Sequence, residues 1–457
     1  MRKFDRSIVD GALGPAVWTL AWPTMLQNVV AGLQGIIDHA MVGHYIGYTA
    51  NAAIGVSWQI FLVVIVFVAS LYSGMGVLVA RFTGAGEHEK VNQVVQQAFL
   101  TSLLLSVVLA VAGYVLSPYL LDIVHAAPPV KAAALPFLRT MFVGNVGLLV
   151  FFMLGGAFRA AGDARTPLRL GIAATGLNAV FNVVLIPRFG PFGAALGTVT
   201  ANIIIALVGN YMVLSGKYAI RVPRPLNLAP DWAIIREIFR FGLPTGLQGI
   251  SMNVAGIVLL RYIGSLPTSA AAQAAYAIGY TELFSLITWT AVGLMSATAT
   301  ITGQNLGAGK PERSIAGAKV AARIGLWVAG TVGLAFLTVP GLLLGIFGMT
   351  EPRVLEIGTE LLRYLAVSGF FVTVALVYNG ALQGTGDTKS PLYISLISQI
   401  AIPLGYCAVM DAAHGLRSGD IWLAIVLGHF FRCALGVLRF GQGKWRSIRV
   451  DIGTARA

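Results

Sequence analysis

Gly162-Asp163-Ala164-Arg165-Thr166-Pro167-Leu168 and Gly386-Asp387-Thr388-Lys389-Ser390-Pro391-Leu392 are one phrase written twice in a chain of 457 residues, 224 positions apart. Trp22-Pro23-Thr24-Met25-Leu26-Gln27 returns as Leu243-Pro244-Thr245-Gly246-Leu247-Gln248, 221 positions on. Gly84-Ala85-Gly86 returns as Gly307-Ala308-Gly309, 223 positions on. Three motifs in the same order at nearly one offset describe an internal repeat, so each half is expected to build the same set of elements. Thr166-Pro167 and Ser390-Pro391 read as helix N-caps followed by proline at the first helical position. Asp163 and Asp387, just before them, read as turn and cap residues. The Gly-Ala-Gly pairs read as turns joining adjacent helices.

Composition says what surrounds those helices. The hydrophobic fraction is 57% and the charged fraction 11%, against about 45–50% and about 25% in soluble domains. So few charges cannot coat a soluble body of this size, whereas lipid tails need no polar coat. The 54 glycines suit closely packed membrane helices. The net charge of +13 does not indicate nucleic-acid binding, because the bases stand singly between long apolar runs. Cys407 and Cys433 both lie in apolar runs and read as small buried hydrophobes, with no disulfide framework or metal spacing. The first apolar run is too long for a cleaved signal peptide and reads as a retained helix.

Runs long enough to cross a bilayer, about 20 residues each, fall near 14–43, 53–80, 93–119, 133–160, 167–187, 192–214, 237–263, 272–303, 316–346, 357–383, 391–410 and 421–440. This is an all-α integral membrane fold of about twelve transmembrane helices. With the N-terminus in the cytoplasm, the outside segments keep only Lys131, Arg139, Arg188, Arg261, Arg353, Arg363 and Arg417 of the 31 Lys and Arg. That bias supports an even number of spans and both termini inside. The polar, proline-bearing stretch 215–231 reads as a cytoplasmic linker. It separates an N-terminal six-helix lobe, 1–214, from a C-terminal six-helix lobe, 232–457, with a short basic tail. Six spans per half give both halves the same orientation, related by a pseudo-two-fold along the membrane normal.

Four kinds of membrane protein compete. A pump needs a phosphate cradle, and Gly303-Gln304-Asn305-Leu306-Gly307-Ala308-Gly309-Lys310 fails as one: its glycine spacing is one too long, and Pro311 replaces the required Ser or Thr. An intramembrane enzyme would show acid/base pairs or metal spacing within the spans, and none is evident. Channels are usually symmetric oligomers of shorter subunits. Two lobes in one chain fit a secondary transporter, with no catalytic residues, cofactor or bound metal expected. Ionisable groups inside a span are costly, about 2.5–3.5 kcal/mol at mid-helix, and functional by default. Asp38 is the clearest case, with Gln34 one turn away on the same face. Glu282, in the eighth span, is a possible second coupling site. Asn178 and Asn182 share a face of the fifth span, and Asn145, Asn253, Asn379 and Gln399 are further polar points. Trp58, Asn145, Tyr276, Tyr280 and Tyr378 are candidates for the wall of a substrate cavity, although isolated aromatics are more often lipid-facing or core residues.

Pro23 through Asp38-His39-Ala40-Met41-Val42-Gly43, the Gly303–Gly309 motif and the paired Gly-Asp-x-x-Thr/Ser-Pro-Leu loops together resemble the multidrug and toxic compound extrusion (MATE) transporters over nearly the whole chain. The resemblance implies two six-helix lobes forming a V. It also implies export of amphipathic, cationic drugs or toxic compounds against inward H⁺ or Na⁺. Asp38 matches the coupling Asp of the family's first helix, Asn178 the Asn of its fifth-helix Asn-x-x-x-Asp pair, and Thr198 a sixth-helix Thr. Asn182 stands where that pair has Asp, which favours H⁺ over Na⁺. The seventh-helix Glu and tenth-helix Asp of the NorM-like branch fall here on Met252 and near Val372. The chain thus resembles the DinF-like branch, which couples through the N-terminal lobe. A bacterial plasma-membrane protein is implied, working as a monomer with a small amphipathic substrate and membrane lipid as its partners. The alternatives are a lipid-linked oligosaccharide flippase of the same superfamily and a non-transporting scaffold. A flippase would carry basic residues in its cavity. Arg261 and Arg432, the candidates for that, are both expected near the interfaces.

Overall fold

The computed structural model describes residues 6–45, 48–125, 127–216, 218, 220 and 229–452, apart from the side chains at 33, 35–40, 43–45, 48–52, 69 and 70. The described chain is built from helices. In order the long ones are α1 (Leu13–Tyr45), α2 (Tyr48–Ala85), α3 (His88–Ile123), α4 (Pro128–Val143 and Asn145–Ala160), α5 (Arg165–Phe189), α6 (Pro191–Leu214), α7 (Trp232–Gly264), α8 (Ser269–Gly307), α9 (Pro311–Thr338), α10 (Pro352–Thr385), α11 (Lys389–His414) and α12 (Ser418–Gly441), with short helices at Ser7–Asp10, Pro340–Ile346 and Lys444–Ser447. Each long helix falls on one of the expected spans. Ten of them pass as membrane spans by length and apolarity, and the bent α4 makes eleven. The remaining helix, α1, is 33 residues long, enough to cross a bilayer.

Three helices depart from regularity. The halves of α4 meet at 50° around Gly144, where an added Cβ would lie 2.2 Å from Val199. The break frees carbonyls that would otherwise be paired within the helix. Asn145 takes up one of them and ties the bend to α3: its Nδ2 donates to the Phe142 carbonyl of α4 and to the Ser106 carbonyl of α3. Helices α8 and α11 each contain a π-helical stretch, Ala277–Leu283 and Leu396–Ala401. Such stretches rotate the side chains that follow and frequently mark functional sites.

The repeat in sequence is also a repeat in geometry. Gly86 and Gly309 have φ of 78° and 72°, and Gly162 and Gly386 have φ of 98° and 93°. Residues with a Cβ rarely adopt these angles. The residue after each glycine closes the same six-residue loop: Glu87 N to Phe82 O at 2.9 Å, Lys310 N to Asn305 O at 2.8 Å, Asp163 N to Phe158 O at 2.8 Å and Asp387 N to Leu382 O at 2.9 Å. These are Schellman stops at equivalent helix ends. The start of the next helix differs from expectation. Asp163 and Asp387, rather than Thr166 and Ser390, cap α5 and α11, because their carboxylates accept from the first free amides. Asp163 Oδ1 accepts from the Arg165 and Thr166 amides at 3.1 and 3.0 Å, and Asp387 Oδ1 accepts from the Ser390 amide at 3.2 Å. The Thr166 and Ser390 hydroxyls donate to the same carboxylates, at 2.6 and 2.9 Å.

Two compact units emerge. Unit 1 comprises Met1–Arg6, Leu26–Gly246 and Val450–Ala457, and unit 2 comprises Ser7–Met25 and Leu247–Arg449. Compared with the halves read from sequence, the first part of α1 belongs to unit 2 and the first part of α7 to unit 1. Each handover follows the motif proline, Pro23 or Pro244. A proline there removes one backbone hydrogen bond from the helix. Small residues let these arms dock. In unit 1, a Cβ on Gly74 would lie 2.1 Å from the Ile238 carbonyl; in unit 2, a Cβ on Gly293 would lie 2.5 Å from the Met25 side chain. The glutamines after the prolines make matching contacts. Gln27 accepts from Arg159 at 3.3 Å in unit 1, and Gln248 accepts from Gln383, the repeat counterpart of Arg159, at 3.3 Å in unit 2. Much of the sequence-read linker, at 217, 219 and 221–228, lies outside the described residues. Its end is held in unit 1 by Gln97, which donates to the Ala229 carbonyl and accepts from the Asp231 amide, both at 3.0 Å.

In unit 2, α10 lies against α8 through Gly380 and Gly384, where a Cβ would sit 2.2 and 2.1 Å from the Met295 and Ala299 carbonyls. Backbone cannot yield as a flexible side chain does, so overpacking here costs about 1–3 kcal/mol. Gly384→Ala is expected to lower the thermal unfolding midpoint of the purified protein clearly. Gly405→Ala, at a site with open space around it, is expected to leave the midpoint in place.

Candidate functional site

In unit 1, α5 carries Thr175, Asn178 and Asn182 along one face, at helical spacing. Asn178 and Asn182 are 1% and 0% exposed. Asn182 Nδ2 donates to Asn178 Oδ1 at 3.2 Å, and Asn178 Nδ2 donates to Thr198 Oγ1 on α6 at 3.0 Å. Thr198 donates in turn to the Ala194 carbonyl at 3.1 Å. Asn202, one turn on, donates to the Thr198 carbonyl at 2.8 Å. Gly197 makes room for this row, since a Cβ there would lie 2.4 Å from Asn182 Oδ1. The third helix joins through Thr175, whose hydroxyl donates to Gln34 Oε1 on α1 at 3.0 Å.

The structure therefore brings Gln34, Asn178, Asn182 and Thr198 to one place, together with Thr175 and Asn202, which sequence reading missed. A Thr one turn before Asn178 and an Asn one turn after Thr198 were the available signal. Asp38 follows Gln34 by one turn in α1, and its side chain lies outside the described residues. Amide and hydroxyl groups carry no charge and serve as donor or acceptor, so the row suits a partner that gains and loses a proton.

The remaining candidates are scattered. Asn145 is occupied in capping the α4 bend. Trp58 is 42% exposed, with its ring 6.1 Å from Phe61. Glu282, in the π-helical stretch of α8, is exposed. Tyr378 is half-buried, edge-on to Phe440 at 5.5 Å. Tyr276 and Tyr280 do come together, stacked at 4.9 Å and 9°.

That tyrosine pair lines a cavity of unit 2, about 170 Å³ in volume. Its wall is mainly apolar, from Met252 to Leu259 on α7 and from Pro403 on α11 to Ile425 on α12, with Gln399 and His429 as polar points. Tyr280 and Gln399 sit on the two π-helical stretches. The stack continues through Trp422, 6.3 Å from Tyr276, and Phe284, which lies 6.0 Å from His429. His429 Nδ1 shares a hydrogen bond with the Ser368 hydroxyl. The expected interfacial place of Arg432 is corrected. It lies three residues after His429 on the same face of α12, about 13 Å of helix before the end at Gly441, and it is 5% exposed. Arg261 is exposed, as an interfacial residue would be.

The MatE family model matches residues 23–184 and, a second time, residues 244–407. The chain belongs to the MatE family. The two matches begin at Pro23 and Pro244, the prolines at which α1 and α7 pass between units. Among similar proteins, "Probable multidrug resistance protein NorM" of Thermotoga maritima is 28% identical, covering 93% of this chain and 92% of its own length. "Probable multidrug resistance protein YpnP" of Bacillus subtilis is 26% identical, with coverages of 98% and 99%. A solved structure described as an outward-facing conformation of a multidrug resistance MATE family transporter has a TM-score of 0.89 at 21% identity, covering 97% of this chain and 99% of its own. The twelve-helix, two-lobe membrane fold is thereby shown. As a MatE protein, the chain is a multi-pass secondary transporter and not an enzyme. Met252, the position where the NorM-like branch was expected to carry a Glu, lines the unit 2 cavity as a thioether, and Val372 is buried.

Thr198→Val removes the hydroxyl that Asn178 donates to and so breaks one hydrogen bond of the buried row, at about 0.5–1.5 kcal/mol. Transport of a fluorescent substrate by the MatE chain in cells is expected to fall about tenfold at equal expression. Thr198→Ser, which keeps the oxygen, should retain most of it.

Proposed function

We propose that the protein exports amphipathic, cationic drugs and toxic compounds in exchange for H⁺, across the plasma membrane of a bacterium, as a monomer with both termini in the cytoplasm. The observation that carries this reading is the buried row of amides and hydroxyls on α5 and α6, tied to Gln34, one turn from Asp38. The helical register of α1 and α5 supports it. Gln34 meets Thr175, and one further turn along the two helices comes Asp38 on one and Asn178 on the other. The names of the similar proteins support the drug class.

In this mechanism the ionised Asp38 attracts the cationic substrate from the cytoplasm. A proton arriving from outside neutralises the carboxylate, releases the substrate and changes which groups of the row it bonds to. Loss of the proton to the cytoplasm resets the lobe. Drug and proton compete for one charge, and that competition is the coupling. Asn182 in place of a carboxylate leaves the row neutral. Na⁺ prefers several oxygen ligands with charge among them, so the neutral row favours the proton.

Asp38→Asn is expected to abolish efflux-linked resistance in an efflux-deficient bacterium, with the protein still expressed and inserted. Full resistance in that variant would reject the role of Asp38. Dye export is expected to continue when Na⁺ is replaced by K⁺ and to stop when a protonophore collapses the pH gradient. Export that requires Na⁺ and survives the protonophore would reverse the choice of ion.

A further inference from the structure

Arg432 and Arg439 stand on one helix, seven residues apart, in opposite circumstances. Arg439 grips Asp387 Oδ2 through Nε at 2.9 Å and Nη2 at 2.8 Å. Arg432 is 5% exposed, and among the described residues its side chain has neither a hydrogen bond nor an ion pair. It lines a second, narrow hollow of unit 2, about 10 Å³ in volume and so roomy enough for about one water molecule, with Ala375, Asn379, Pro391, Ser395 and Gly436. No acidic residue lines either hollow. A guanidinium held out of water without a counter-ion is strongly unfavourable, and a two-oxygen anion is the partner its fork geometry fits.

We infer that the interior of unit 2 holds a subsite for an acidic group at Arg432, so that compounds joining an apolar aromatic body to a carboxylate, sulfonate or phosphate bind there. The larger cavity supplies the place for the body. Its tyrosine stack offers flat apolar faces, and Tyr280 and His429 in its wall lie within electrostatic reach of Arg432. Gln399 Nε2, also in that wall, is a buried donor without a hydrogen-bond partner. An unmet donor and an unmet cation both call for an acceptor. Bases at such a place would extend the substrates from cations to zwitterions and acidic amphipaths.

The inference rests on the export reading for its purpose. The experiment reads equilibrium binding without a gradient, so its failure and the failure of proton coupling are separate results. The full-length protein in phosphatidylcholine nanodiscs is titrated with 1-anilinonaphthalene-8-sulfonate and with N-phenyl-1-naphthylamine, the same aromatic body without the sulfonate, and empty discs are subtracted. Arg432→Gln is expected to weaken sulfonate binding about tenfold or more, the scale of a charge-assisted hydrogen bond, and to leave the neutral dye unchanged. Arg432→Lys should fall between. If Arg432→Gln does not accumulate, competition on the unaltered protein decides: octyl phosphate should displace the sulfonate dye at about tenfold lower concentration than octylammonium. Discs containing phosphatidylglycerol tell whether lipid headgroups also compete for the site. Unchanged sulfonate binding in Arg432→Gln, equal loss of both dyes, or equal displacement by the two octyl compounds overturns the inference.

Discussion

Within a bilayer there is no water to satisfy a polar side chain, so each polar group on a membrane helix must find its partner in the protein. That constraint shapes both units. In unit 1 it lines up Asn182, Asn178, Thr198 and the Ala194 carbonyl donor to acceptor, and Thr175 brings Gln34 to the same face. In unit 2 it joins Gln248 to Ser395 at 2.7 Å and Gln383 to Gln248 at 3.3 Å. Such networks specify a single helix arrangement, because a shift of one helix strands several groups at once.

The two units share a blueprint and differ in chemistry. The Schellman stops, the Asp caps and the glutamines after the prolines recur at one offset. The interior of the second unit is otherwise its own. Two π-helical stretches, a stack of four aromatic rings and a buried arginine surround space that the first unit's amide row has no match for among the described residues. At the position where the NorM-like pattern was expected to place a carboxylate, Met252 presents an apolar thioether. The two hollows around the buried arginine have no acidic residue in their lining.

Much of this was legible in the sequence because its causes are local. Apolar run length fixed the helices, and the repeated glycines marked stops that only a residue without a Cβ readily makes. Capping was misread at Thr166 and Ser390 because Asp163 and Asp387 reach past them to the free amides, a competition that sequence spacing does not rank. Arg432 was expected near an interface because depth and facing depend on which helices cover α12. The π-helical stretches contain no proline, and packing rather than local propensity produces them. Asn178 and Asn182 were legible because i, i+4 spacing on one helix survives into three dimensions, as was Gln34 one turn from Asp38, while Thr198 was read from the family resemblance. Asn145 looked equally polar in sequence and serves the α4 bend instead.

The central claim is that drug and proton compete for one carboxylate in the first helix. Reciprocal linkage makes this measurable without any membrane gradient, since a ligand that excludes a proton must release it on binding. The purified protein in weakly buffered solution, titrated with a cationic dye to saturation, reports the protons released through a pH indicator. At a pH low enough for the free protein to carry the Asp38 proton, the account expects about one proton released per dye bound, and none from Asp38→Asn at matched occupancy. Saturating binding with no proton released, or the same release from both proteins, would contradict it.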